Sequence, residues 1–112
     1  MAERAASPDE FEVTYDQLLA QAIGQCGCRL VLMEPFLFCR DRTNEVFRTL
    51  VPYLEVVRTL AAKYGAVLVP LQKEIDRQIV EVAPEKWSQD TVHPRLWAHA
   101  WIAQQWLDAT GF

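Results

Sequence analysis

The sequence predicts an α/β fold in which two parallel strands are flanked by helices, and three observations carry that expectation. Two short runs, RLVLMEP at 29–35 and GAVLVPL at 65–71, are continuously apolar, the pattern of strands buried on both faces rather than on one. Between them Val46, Leu50, Leu54, Val57 and Ala61 recur at helical spacing. A strand, a helix and a strand in that order form a right-handed crossover whose strands are parallel, and parallel sheets are covered by helices.

The full order reads helix, strand, helix, strand, helix, loop, helix. The first helix opens at SPDE: Ser7 caps, Pro8 suits the first helical position and Glu10 completes a capping box. Phe11, Tyr15, Leu18, Leu19 and Ala22 then form an apolar stripe, and Gly24 or Gly27 ends it. Asn44 caps the helix between the strands and Gly65 terminates it, while Pro52, which lacks an amide hydrogen, is expected to kink or divide it. Leu71, Ile75, Ile79 and Val82 give a third stripe. The loop APEKWSQDTVHP leads to a last helix carrying Leu96, Trp97, Ala100, Trp101 and Leu107. Trp97 and Trp101, four residues apart, are expected to pack on the sheet. Trp87 has two open roles, as core or as the wall of an acyl pocket.

Composition narrows the possible functions. The 112 residues suffice for one small domain or part of a larger one, with residues 1–7 expected as a tail and 8–112 as the folded unit. At 51% hydrophobic and 23% charged, the chain is neither a disordered tail nor a membrane span. A net charge of −4, with no basic cluster interleaved with aromatics, offers nucleic acid no cationic footprint. The N-terminal stretch MAERAASPDEFEV lacks the apolar centre of a signal peptide, so a cytoplasmic location is expected. Cys26, Cys28 and Cys39 are an odd set, expected as reduced thiols. The C-x-C of Cys26 and Cys28 lacks a second ligand pair, so neither a metal nor another cofactor is expected.

The chemistry concentrates at Asp90 and His93. A histidine acting as general base needs one ring nitrogen facing the nucleophile and the other held by an acceptor, which fixes the tautomer and stabilises the imidazolium. An aspartate three residues earlier supplies that acceptor if the loop bends, and Pro94 biases His93 away from helical geometry. The same spacing also describes a surface aspartate capping a turn beside an ordinary histidine. His99, six residues on, is expected on the helix surface rather than as a ligand.

LVLMEPF, followed by VVRTLAAKYGAVLVPL and then WSQDTVHPRLWAHAWIAQQWL, resembles the C-terminal half of the SGNH, or GDSL-type, serine esterase and lipase family, from about Phe11 to the end of the chain. The D-x-x-H-P block, with a tryptophan upstream and H-A-x-I-A downstream, is its most specific part. The resemblance implies the C-terminal part of a doubly wound, flavodoxin-like three-layer α/β/α fold. It also implies hydrolysis of a small ester, with Asp90 orienting the imidazole and His93 acting as general base.

The family's serine stands in a G-D-S motif and one oxyanion donor in a G-x-N-D motif, and neither motif occurs here. Ser7 and Ser88 are the chain's two serines; Ser7 is the helix cap, and Ser88 lies too close to Asp90 to face the far nitrogen of His93. Thr91 stands where the family usually has glycine, and Ala98 where a glycine often precedes the second histidine. Two readings follow: a hydrolase portion whose nucleophile comes from elsewhere, or a catalytically inactive α/β remnant serving as an interaction or structural module. Two strands alone leave an open edge and uncovered apolar helix faces. The chain is therefore expected to cover that surface by homo-oligomerisation, with a complementary N-terminal half, or by repacking its helices.

Overall fold

A computed structural model describes residues 6–111, so Met1 to Ala5 of the expected tail and Phe112 lie outside the described residues. The elements are α1 (Pro8–Cys26), β1 (Val31–Met33), α2 (Glu45–Tyr64), β2 (Val67–Val69), α3 (Leu71–Gln78), α4 (Pro84–Trp87) and α5 (Leu96–Thr110). The strands pair in parallel, with Val31 opposite Val67, Leu32 opposite Leu68 and Met33 opposite Val69. The sheet contains these two strands.

Local chemistry sets the ends of these elements. The Glu10 amide donates to Ser7 Oγ at 3.2 Å. Asn44 Oδ1 accepts from the amides of Val46 at 2.9 Å and Phe47 at 3.2 Å. Of the two glycines that could end α1 it is Gly27 that does so, in the left-handed conformation at φ +58°, while Gly24 stays within the helix. Both strands are shorter than their apolar runs. Gly65 is still capping α2, and Pro70, with no amide to donate, already begins the turn into α3.

Pro52 does not divide α2, which runs unbroken from Glu45 to Tyr64. Proline deletes one backbone hydrogen bond. Phe47 is buried before it and Leu54, Val56, Val57, Leu60 and Ala61 after it, so tertiary packing holds both halves in one helix. The buried face of α2 includes Phe47 in place of the expected Val46, which is exposed. On α1, Leu19 is buried and its neighbour Leu18 exposed, because adjacent helical side chains diverge by about 100° and one of them meets α2. The third stripe stops early: α3 ends at Gln78, Val82 is exposed beyond it, and the stretch expected as loop contains the single-turn α4, opened by Pro84.

Three apolar clusters result. Leu19, Leu32, Val56, Val57, Leu60 and Ala61 join one face of the sheet to α1 and α2. Phe38, Ile75, Ile79, Trp87 and Ala98 join α3, α4 and α5, while Leu37 and Cys39 pack on Phe47. The strands are not buried on both faces: Met33 is 40% exposed while its partner Val69 is fully buried. Helices α1 and α2 cover one face, whereas on the other α5 packs against β2, leaving a cavity of about 190 Å³ bounded by Arg29, Val31, Val67 and Thr110. No helix of the described residues is long and apolar enough to cross a membrane.

Of the tryptophans, Trp87 takes the first of its two open roles, and the α5 pair departs from expectation. Trp87 is core, 1% exposed, stacked on Phe38 with centroids 5.8 Å apart. Trp101 meets Trp87 edge to face at 4.9 Å, and Trp97 lies against it at 4.4 Å while half-exposed, so the α5 pair packs on Trp87 rather than on the sheet. Helix α5 is apolar nearly all round, which made its inward face illegible; Ala98, Trp101 and Ile102 face the core, and Leu96 and Leu107 are exposed.

A buried polar network joins the layers at the carboxyl ends of the strands. Glu34, directly after β1, accepts from Arg58 Nε of α2 at 2.6 Å and from the Gln72 amide in the first turn of α3 at 3.0 Å. The Gln72 side chain accepts from the Leu37 amide at 2.7 Å and donates to the Leu37 carbonyl at 3.1 Å and to Asp76 at 2.8 Å. Replacing Gln72 with Ala leaves the Leu37 amide and carbonyl buried without partners, and unsatisfied buried groups cost about 1–3 kcal/mol. The expected result is a lower urea midpoint for Gln72→Ala than for the exposed control Gln78→Ala.

Candidate active site

The segment from Ser88 to Pro94 is a closed turn. Ser88 and Pro94 form an isolated antiparallel bridge, and the Arg95 amide donates to the Trp87 carbonyl at 2.8 Å. Both ends of the turn are thereby tied to the buried Trp87. From the other side, the Phe38 amide donates to the Thr91 carbonyl at 2.9 Å, fixing the turn to the segment that Gln72 holds.

Inside this frame Asp90 and His93 come together. His93 Nδ1 lies 2.6 Å from Asp90 Oδ2. Asp90 Oδ1 accepts from the amides of His93 at 2.7 Å and Val92 at 3.0 Å. These contacts pull the Asp90 pKa well below the usual carboxylate range: the His93 amide contributes most, then the His93 ring, then the Val92 amide, with Ser88 adding less. An ionised carboxylate only accepts, so a neutral His93 ring donates from Nδ1 and keeps its lone pair on Nε2. The His93 side chain is 84% exposed and borders an open cleft of about 370 Å³ lined by Gln89, Asp90, His93, Pro94, Arg95 and Leu96.

Ser88 is buried, and the partners of its hydroxyl are within the turn. Its hydroxyl donates to the His93 carbonyl at 2.7 Å, with Asp90 Oδ1 at 3.0 Å, and accepts from the Asp90 amide at 3.3 Å. These bonds staple the two ends of the motif, and none reaches the imidazole ring. A serine two residues before an aspartate at a turn carries the local signal for such a staple, which sequence reasoning weighed only as a nucleophile. Ser7 is committed to the α1 cap, and Asn44 Oδ1 to the α2 cap.

His99 is exposed on α5 and is not brought to the pair. Cys26 and Cys28 are exposed and Cys39 is buried. No group of three His, Cys, Asp or Glu among the described residues is arranged to hold a metal ion.

Thr91 has φ +69°, the one non-glycine residue with positive φ among those described. That region suits glycine and is unfavourable for a β-branched side chain. The position is the one at which the resemblance led to an expected glycine.

The fold and the paired turn are similar to one half of solved α/β hydrolases. An α/β hydrolase from the metagenome of Lake Arreo, Spain, superposes on 99% of this chain at a TM-score of 0.90 and 30% identity, over 50% of its own length. The acetylxylan esterase of Geobacillus stearothermophilus is 26% identical over 112 residues; its structure superposes at a TM-score of 0.86, covering 94% of this chain and 48% of that one. A structure described as a GDSL-like lipase from Parabacteroides merdae, 23% identical, shares the fold at a TM-score of 0.85 over 96% of this chain and 51% of its own. No protein-family profile matches the chain. The chain spans about half the length of the curated relative it matches.

Two outcomes are expected. Because the folded pKa of Asp90 is depressed, the pair contributes stability that is complete above the ordinary aspartate value of 3.8 and is lost only as pH falls below it. The Val92 amide resonance, which reports on the carboxylate it donates to, should therefore show a transition below that value during acidification followed by NMR, and Asp90→Asn should not show it. Replacing Thr91 with Gly should raise the urea midpoint, because relief of left-handed strain of about 1–2 kcal/mol exceeds the added chain entropy of about 0.5–1 kcal/mol.

Proposed function

We propose that this chain carries the acid–base half of an SGNH-type esterase. In this reading His93 removes a proton from a serine hydroxyl through Nε2 as that serine attacks an ester carbonyl, then returns it to the departing alcohol. Asp90 holds the ring and balances the charge of the imidazolium. The observation that carries the reading is the 2.6 Å contact between His93 Nδ1 and Asp90 Oδ2 beside an open cleft. The serine and the oxyanion donors come from sequence or a chain outside these 112 residues, because Ser7 and Ser88 are both committed elsewhere.

The similarity to the Geobacillus esterase supports an ester substrate, with acetylated xylan-type carbohydrate as the first class to test. Solved catalytic mutants of that esterase replace a serine in one case and a histidine in another. The open edge of β1, the exposed Met33 and the cavity beside Val31 support a covering partner, either the complementary half or a second copy. The competing reading, a non-catalytic interaction or structural module, draws on the commitment of both serines.

Joining this chain to the half of the Lake Arreo hydrolase that it does not match tests the proposal. The fusion should hydrolyse acetylated xylooligosaccharides and should react with a serine-directed fluorophosphonate. His93→Ala in the fusion should lower kcat by about 10²–10⁴-fold, the usual worth of a positioned general base. A folded fusion whose turnover is unchanged by His93→Ala and Asp90→Asn supports the non-catalytic module instead.

A further inference from the structure

His93 is already equipped for a reaction that needs no serine. Its Nδ1 is occupied by Asp90 Oδ2 at 2.6 Å, so the neutral ring carries a free lone pair on Nε2. The side chain is 84% exposed, and neither serine reaches the ring. Leu96, 87% exposed on the same cleft, offers an apolar surface beside it. An imidazole nitrogen with an available lone pair is itself a nucleophile toward acyl groups that carry a good leaving group. Asp90 fixes the ring tautomer, and the turn that carries both residues is tied to Ser88, Trp87 and Phe38 of the same chain.

We propose that the isolated chain hydrolyses activated aryl esters with His93 Nε2 as the nucleophile and Asp90 as its counter-charge. The inference rests on the same paired residues as the esterase reading, but not on a serine. In the first step Nε2 bonds to the acyl carbon, the tetrahedral adduct collapses, and the carbon–oxygen bond to the aryl group breaks with its electron pair leaving as aryl oxide. The ring is now an Nε2-acylimidazolium, its positive charge facing the Asp90 carboxylate through the Nδ1 hydrogen. Water then adds to the acyl carbon, gives up one proton to solvent, and the Nε2–carbon bond breaks. The carboxylic acid departs and the lone pair returns to Nε2. The aryl oxide recovers a proton from solvent, and the sum is one ester and one water converted to one acid and one phenol.

The test is turnover of p-nitrophenyl acetate by the full chain and by His93→Ala, Asp90→Asn and His99→Ala, each with and without pretreatment by a serine-directed fluorophosphonate. His99 is the internal control, an exposed imidazole on α5 with no hydrogen-bonded carboxylate among the described residues. Wild type and His99→Ala should release nitrophenol above the buffer rate and be unaffected by the probe. His93→Ala should fall to the buffer rate plus whatever His99 supplies, and Asp90→Asn should lose most of the wild-type excess. Matching circular dichroism and urea midpoints for His93→Ala and wild type separate lost chemistry from lost folding; His93→Gln serves if they differ. A probe-sensitive rate, a wild type no faster than buffer, or a His93→Ala protein as fast as wild type overturns the proposal. Turnover by the serine-containing fusion without turnover by the isolated chain removes this inference and leaves the esterase reading standing; the reverse result removes that reading and leaves this one.

Discussion

Glu34 is buried at the point where β1 ends, with one carboxylate oxygen on Arg58 of α2 and the other on the Gln72 amide of α3. A buried carboxylate without partners would be strongly unfavourable, so these contacts are conditions of folding as much as consequences of it. Through Gln72 they extend to both backbone groups of Leu37 and to Asp76, which in turn meets Arg42 at 2.5 Å. The connection from β1 to α2, with no helix or strand of its own, is thereby pinned to α3.

That pinning positions the site. Phe38 lies one residue beyond Leu37; its ring stacks on Trp87, and its amide holds Thr91. The turn carrying Asp90 and His93 is consequently supported from below by Trp87, from the side by Phe38 and from within by Ser88. An acid–imidazole pair in the proposed role gains from being held before substrate arrives, since the cost of ordering it then falls on folding rather than on the reaction. The left-handed Thr91 is one local cost of that order.

The sheet has the opposite character. Its α1 and α2 face is closed by a continuous apolar cluster, while β1 has an unpaired edge within this chain and the second face is only partly covered. The solved hydrolases that match this chain are about twice its length. An ordered site and an incompletely covered sheet therefore coexist in these residues.

Much of the architecture was legible in the sequence because it rests on short-range chemistry. Ser7, Asn44 and the glycines at 27 and 65 act on their immediate neighbours, two apolar runs with a helix between them require parallel pairing, and a D-x-x-H-P turn can bring its own acid and imidazole together. The sequence also left both serines as poor nucleophiles, Ser88 for its spacing from Asp90 and Ser7 as a helix cap. What it could not decide was which of several apolar faces turns inward. Leu18 and Leu19, Val46 and Phe47, and the apolar residues on several faces of α5 are alternatives that differ only in what lies opposite. Nor could periodicity reveal that Arg58 and Gln72, 24 and 38 residues along the chain from Glu34, meet at its buried carboxylate. Those outcomes depend on long-range contacts between elements, and it is these contacts that keep α2 whole across Pro52, place Trp87 in the core and hold the Asp90–His93 turn in position.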